Sequence, residues 1–210
     1  MVIETIRTYE NTLSSEFCDQ VIERFNRDPR VQTGEVYGGI DLSIKNSQDL
    51  QISSYTTGDD NWDIEDNAFC RNLQKYIIEY QKVCCAPNAT DLFIDDIRDH
   101  GYQIQKTLPG TVGYTWHNDN LVLTNGWWRR ITYIWYLNDV PVEYDGYTEF
   151  ISGERIQPKQ GKLLLFPSSW SVGHRGAPLL DGEKYICTGW VYCPPNQVDQ
   201  QHGRLVSGTH

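Results

Sequence analysis

The sequence predicts a mainly β protein with flanking helices, built as an antiparallel sandwich or jelly roll. Two observations carry this. Helical periodicity is confined to the first 85 residues, and from Thr90 onward short apolar runs separated by Pro, Gly, Asn or Asp replace it. The aromatic content, with seven Trp and thirteen Tyr, suits pleated sheet. A chain of 210 residues is most simply a single domain, able to bury its core without staples.

The elements are expected in this order. Residues 2–9 (VIETIRTY) read as a first strand. Ser14 or Ser15 caps a helix running to about Phe25, with Glu16 favouring its dipole and Phe17, Val21, Ile22 and Phe25 as its apolar stripe. Residues 31–60 show no sustained period and contain Gly38, Gly39 and Gly58, which predicts a long loop with short strands that covers a site. A second helix spans about Asp63 to Cys85, with Phe69, Leu73, Tyr76, Ile77, Tyr80 and Val83 on one face and Pro87 ending it. Strands are then expected at 91–98, 101–107, 112–117, 130–137, 147–151, 155–157, 162–166 and 185–193. The runs ITYIWYL (131–137) and KLLLF (162–166) are apolar on both faces and therefore central. The organisation is an N-terminal part (1–99), a jelly-roll core (100–193) and a polar tail (194–210).

The chemistry is concentrated in four residues. His117 and Asp119 form a His-x-Asp pair, His174 follows after 54 intervening residues, and Lys184 stands ten positions further on. Two imidazoles and one carboxylate make a facial set that binds non-haem Fe(II) and leaves the opposite face open. On a strand, residues two apart share a face, so one strand end can present both members of the pair. A lysine buried nearby requires an anion, because an isolated buried ammonium is costly. The set describes an iron site with a holder for an acidic cosubstrate.

Tyr114 lies three before His117. Tyr133 to Asp139 reads YIWYLND, Gly146 to Phe150 reads GYTEF, Gly161 to Pro167 reads GKLLLFP, and Gly182 to Tyr185 reads GEKY with Trp190 six beyond Lys184. In this order over residues 102–193 the chain resembles the prolyl 4-hydroxylase-like branch of the Fe(II)/2-oxoglutarate-dependent oxygenases. The resemblance implies a double-stranded β-helix with His117, Asp119 and His174 as iron ligands. It implies Lys184 and Thr148 as holders of the far carboxylate of 2-oxoglutarate, Tyr114 and Trp190 as pocket walls, and Arg129 as a residue that touches substrate. It further implies O2 as oxidant, ascorbate as an accessory reductant, and hydroxylation of a protein or peptide residue, proline first, with release of succinate and CO2. A free amino acid or other small molecule is the alternative substrate. Two positions depart from the family: Leu108 stands where a tyrosine often helps bind the cosubstrate, leaving Tyr102 or Tyr114 to compensate, and Asp145 replaces a glycine.

Bulk properties narrow the partners. The net charge is −10, with 19 acidic and 9 basic side chains in residues 1–100 and 9 of each in residues 101–210. An acidic chain disfavours nucleic acid and suits a basic or neutral peptide. No run approaches the ~20 apolar residues of a membrane span, and the N-terminus lacks the pattern of a signal peptide. The six cysteines show no zinc spacing and are expected as reduced thiols in a cytoplasmic protein. Oligomeric state leaves no trace in the sequence.

Overall fold

The structure, a computed structural model, describes residues 5–36, 38–84 and 97–194. The predicted strands at 2–9 and 91–98 are therefore seen in part, and most of the 194–210 tail and Cys85 lie outside the described residues.

Helix α1 (Ser15–Phe25) begins where its cap predicts: the Ser14 hydroxyl accepts a hydrogen bond from the Phe17 N–H at 3.2 Å, and Glu16 sits in the first turn. Cys18, Val21 and Phe25 are its buried residues. A one-turn helix, α2 (Ser54–Thr57), ends on left-handed Gly58. It is too short to leave a periodic signal. Helix α3 (Asp63–Cys84) buries Phe69, Leu73, Ile77 and Tyr80. Tyr76 is only partly buried and Val83 is 43% exposed, so the apolar stripe predicted for this helix fails at its C-terminal end.

Among the described residues, twelve strands form two antiparallel sheets. The larger contains β1 (Arg7–Tyr9), β2 (Gln32–Thr33), β3 (Gln48–Gln51), β4 (Arg98–Asp99), β5 (Gln103–Thr107), β7 (Trp128–Tyr136), β10 (Leu163–Pro167) and β12 (Lys184–Cys193). Its order is β1-β10-β7-β12-β5-β3-β2, with β4 beside the end of β12. The smaller contains β6 (Tyr114–His117), β8 (Thr148–Phe150), β9 (Arg155–Ile156) and β11 (His174–Gly176), ordered β6-β11-β8-β9. The sheets make a double-stranded β-helix, mainly β with flanking helices.

The two apolar runs are interior strands because both their faces are covered. On β7, Ile131, Tyr133 and Trp135 pack under α1 and α3, together with Leu163 and Leu165 of β10 and Cys187 and Val191 of β12. The alternate residues Ile134, Tyr136, Leu164 and Phe166 face the smaller sheet and meet Phe150. Alternation along each strand thus divides a helix-side core from an inter-sheet space. Rings concentrate in the first: Phe69 lies 5.1 Å from Trp135, 5.3 Å from Phe17 and 5.6 Å from Tyr102.

The stretch expected as a covering loop, 31–60, is largely pinned. β3 pairs with β5 and buries Leu50 in the core. Just before it, Thr115 N–H donates to Ile44 O at 2.9 Å and Asn46 N–H to Gly113 O at 2.9 Å. Residues 44–51 therefore cross from the edge of the smaller sheet to the larger one. The alternation of Leu50 and Ile52 is too brief to register as a strand period in the sequence. The five cysteines among the described residues, 18, 70, 84, 187 and 193, are free thiols, and no described helix is long and apolar enough to cross a membrane.

Phe69 is fully buried at the junction of both helices and the sheet. Phe69→Ala should lower unfolding stability by about 3–5 kcal/mol, the usual cost of emptying such a site, measured by urea denaturation. A loss under about 1 kcal/mol would mean that α3 does not anchor this face.

Candidate metal centre

A register shift brings the two histidines together. On the smaller sheet His174 stands directly opposite His117, while Gly176 pairs with Tyr114, so β6 carries one residue more than β11 between these pairs. The bulge places Tyr114 and His117, three apart, on one face, where their rings stack at 3.7 Å. Asp119 lies just past the end of β6 and turns back into the same space. One donor atom from each of His117, Asp119 and His174 lies within 4.8 Å of the others. Asp119 Oδ1 is 3.9 Å from His117 Nε2, and Oδ2 is 3.6 Å from His174 Nε2.

Both imidazoles are prepared as neutral ligands. His117 Nδ1 lies 2.7 Å from Thr115 O, and His174 Nδ1 lies 3.3 Å from Val172 O. A carbonyl only accepts, so each Nδ1 carries the hydrogen and each Nε2 keeps its lone pair toward Asp119. Burial, and secondarily the charge of His174, pushes His117 down to about 4; burial lowers His174 as well. Asp119 is oriented from behind. Thr132 Oγ1 donates to Asp119 Oδ2 at 2.7 Å and lies 2.8 Å from Ser168 Oγ, so Ser168 supplies the hydrogen to Thr132. Neutral nitrogens, a fixed carboxylate and a partly open surround fit non-haem Fe(II).

These groups line a cavity of about 850 Å³ that also takes in Lys45, Thr107, Arg129 and Lys184. Among them Lys184 is buried, with only 5% of its surface exposed. Its Nζ donates to Gly146 O at 2.9 Å. It has no acidic partner among the described residues, and burial alone draws it down to about 8. A Cβ added to Gly176 would lie 3.6 Å from this nitrogen. Thr148 pairs with Gly176 across the strands, and its Oγ1 accepts from the Tyr136 hydroxyl at 2.7 Å. The Thr148 hydrogen is therefore left to point at a further acceptor. This part of the cavity presents a buried ammonium and a hydroxyl hydrogen side by side.

Of the two tyrosines considered in place of Leu108, Tyr114 lines the cavity. Tyr102 does not: it is buried in the helix-side core with its hydroxyl on Asp99 at 2.9 Å. Leu108 itself is 38% exposed, and the preceding Thr107, opposite Lys184 in register, faces the cavity instead. Trp190 also lines the cavity, but six residues along β12 from Lys184, about 20 Å of strand. There it carries the Arg129 guanidinium 3.4 Å above its ring.

Sequence reasoning missed Thr132, Ser168 and Tyr136, and the buried Lys45–Asp49 ion pair at 2.5 Å. No spacing marks them. Their hydroxyls and charges acquire a role only from the strand that pairing sets beside them. Asp49 also accepts from Ser47 at 2.7 Å, and Lys45 Nζ lies 5.7 Å from the Tyr114 ring, so the pair braces the ring stacked on His117.

Comparison with known proteins agrees with this geometry. Residues 102–192 match the family model described as 2OG-Fe(II) oxygenase superfamily. A PKHD-type hydroxylase of Synechococcus sp. (strain CC9605) is 32% identical over 99 residues, which cover 44% of this chain and 41% of that one. The match thus spans under half the length of the curated relative. Two solved structures share the fold at low identity. The viral collagen prolyl hydroxylase of Paramecium Bursaria Chlorella virus-1, in complex with 2OG, superposes with a TM-score of 0.64 at 20% identity, covering 90% of this chain and 97% of that one. A Trichoplax adhaerens prolyl hydroxylase, in complex with a hypoxia inducible factor oxygen degradation domain peptide fragment, gives 0.66 at 18%, covering 90% and 83%. The chain resembles prolyl 4-hydroxylase-like 2-oxoglutarate oxygenases.

Thr132→Val should weaken metal binding by about 10–100-fold, because a carboxylate ligand loses the hydroxyl that orients it. Thr132→Ser should retain most of the affinity. Competition of Fe(II) or Co(II) against a chromogenic chelator reads both, and equal affinities for the wild type and Thr132→Val would show that Asp119 needs no such support.

Proposed function

We propose that this chain, whose residues 102–192 match the oxygenase family, is an Fe(II)- and 2-oxoglutarate-dependent oxygenase that hydroxylates a prolyl residue of a protein or peptide, releasing succinate and CO2. The observation that carries the reading is the enclosed Lys184 ammonium, without an acidic partner among the described residues, in the cavity that also holds His117, Asp119 and His174. A metal site alone fits many reactions. A metal site with an uncompensated cation at its inner end calls for an acidic cosubstrate.

In this reading His117, Asp119 and His174 hold the iron, which when bound supplies O2 activation. Lys184 takes the far carboxylate of 2-oxoglutarate, and Thr148 donates to the same group because Tyr136 already occupies its acceptor side. Thr132 and Ser168 keep Asp119 in one orientation. Tyr114 covers one face of His117 and excludes water there. Trp190 walls the cavity away from Lys184, and Arg129 faces the substrate. The protein orients and desolvates; O2 is the oxidant and ascorbate an accessory reductant. The peptide reading is supported by a polar floor of Gln51, Gln103 and Gln105 along β3 and β5, whose amides can pair with an extended main chain.

Two measurements check this. Loading the chain anaerobically with Fe(II) and 2-oxoglutarate, admitting O2, and analysing a proline-containing peptide library by mass spectrometry should reveal products heavier by one oxygen atom. Succinate release with free amino acids while every peptide stays inert would transfer the activity to a small-molecule substrate. The second concerns Lys184. Lys184→Ala should cost about 3–5 kcal/mol in 2-oxoglutarate affinity with little change in metal affinity. The cosubstrate binds the protonated amine, and the bound anion raises that pKa. Affinity should therefore be level below about pH 8, where the free chain already carries the proton, and should fall above it by about tenfold per pH unit, as the proton must first be taken up. A level profile through about pH 9.5 would assign the anion to another group.

A further inference from the structure

Resting on the oxygenase reading, we infer that Arg129 forms a second, separate carboxylate site, which selects substrates bearing an acidic group beside the hydroxylated position. The register of β7 against β12 carries the first step. Val191 pairs with Ile131, but Tyr192 pairs with Arg129, so Arg130 is an extra residue on β7. Above the bulge, Thr132 and Ile134 face the cavity while Ile131 faces the helices. A regular strand would send Arg129 to the helix side with Ile131. The bulge inverts the alternation and turns Arg129 into the cavity.

Its side chain is held there. The guanidinium lies 3.4 Å above the Trp190 ring, and Nε donates to the Tyr192 hydroxyl at 3.1 Å. With Nε occupied and the plane stacked, the two terminal NH2 groups remain for a ligand. Among the described residues no carboxylate pairs with it, whereas Arg24, Arg27, Arg30, Arg155 and Arg175 all have acidic partners within 2.8 Å. A planar fork with parallel N–H donors matches a carboxylate in two-point contact.

This site stands apart from Lys184. Six residues, about 20 Å of β12 backbone, separate Lys184 from Trp190, so the two cations enter the cavity at different levels of the strand. Two cations at different levels of one cavity, which the metal ligands also line, call for two anions. One belongs to the cosubstrate and the other to the substrate. The inference reverses the basic partner suggested by the acidic first 100 residues. Net charge acts over the whole surface, whereas selection acts through the group that the cavity presents.

The carboxylate can come from a Glu or Asp side chain near the target proline, from a peptide C-terminus, or from a free amino acid. The test uses proline peptides with Glu, Ala or Lys within three residues of the proline, a C-terminal proline peptide as acid and as amide, and free L-proline. Hydroxylation is read as kcat/KM by mass spectrometry, and binding by anisotropy of labelled peptides on the metal-free chain. The wild type should favour carboxylate-bearing ligands over their Lys or amide counterparts by about tenfold or more. Arg129→Gln should abolish the preference, Arg129→Lys should retain part of it, and Arg129→Glu should invert it toward Lys peptides. Inversion is something that merely structural damage does not produce. Tyr192→Phe, which removes only the hydroxyl on Nε, should reduce the preference partway, with thermal melts confirming that each variant is folded. Which acidic ligand wins identifies the source. Equal treatment of Glu, Ala and Lys peptides by the wild type, or an unchanged order in Arg129→Glu, overturns the inference and leaves the oxygenase reading standing. Absence of succinate with every ligand overturns that reading instead, and the anisotropy series still decides the role of Arg129.

Discussion

Strand β12 lies between two environments, and the site depends on its alternation. Cys187 and Val191 turn to the helices, while Lys184, Ile186, Thr188, Trp190 and Tyr192 turn to the cavity. A slip of one residue would exchange these sets, placing an ammonium in the helix-side core and removing it from the cavity. The helix-side packing of Phe69, Trp135 and Tyr133 makes that slip prohibitive. The same packing that stabilises the fold thus sets which side chains reach the metal ligands and how far apart they stand.

Polar groups within the cavity are compensated unevenly, and the pattern is informative. Asp119 accepts from Thr132, Lys45 pairs with Asp49, and both histidines donate to backbone carbonyls. Lys184 has a single carbonyl, and Arg129 a hydroxyl and a ring. Where the chain supplies partners it fixes ligand geometry, and where it withholds them it leaves room for an anion. Burying an ammonium without a counter-ion costs stability, and in the proposed function a bound carboxylate offsets that cost.

Two bulges decide which side chains meet. One, on β6, sets Tyr114 and His117 on the same face; the other, on β7, turns Arg129 inward. Each adds a residue to one strand and thereby reverses the facing of the side chains beyond it. The stretch 44–51 illustrates the same dependence on neighbours. Its sequence reads as loop because, apart from the short β2, the partners that hold it, Gly113, Thr115 and the β5 strand, lie more than fifty residues away.

The sequence by itself marked a helix start at Ser14 or Ser15, the two central strands and the combination of His117, Asp119, His174 and Lys184. These signals are local or stoichiometric: a hydroxyl before a helical run, apolar residues on consecutive positions, and ligand types that few other chemistries require in that combination. Tertiary structure alone decided that Tyr114 rather than Tyr102 borders the metal ligands, that Thr107 faces the cavity where Leu108 does not, and that Thr132 and Ser168 support Asp119. It also decided that Arg129 and Trp190 form an end of the cavity remote from Lys184. The physical reason is common to all of them. A side chain's face on a strand is set by register and bulges, and these depend on pairing with distant segments whose identity no local pattern encodes.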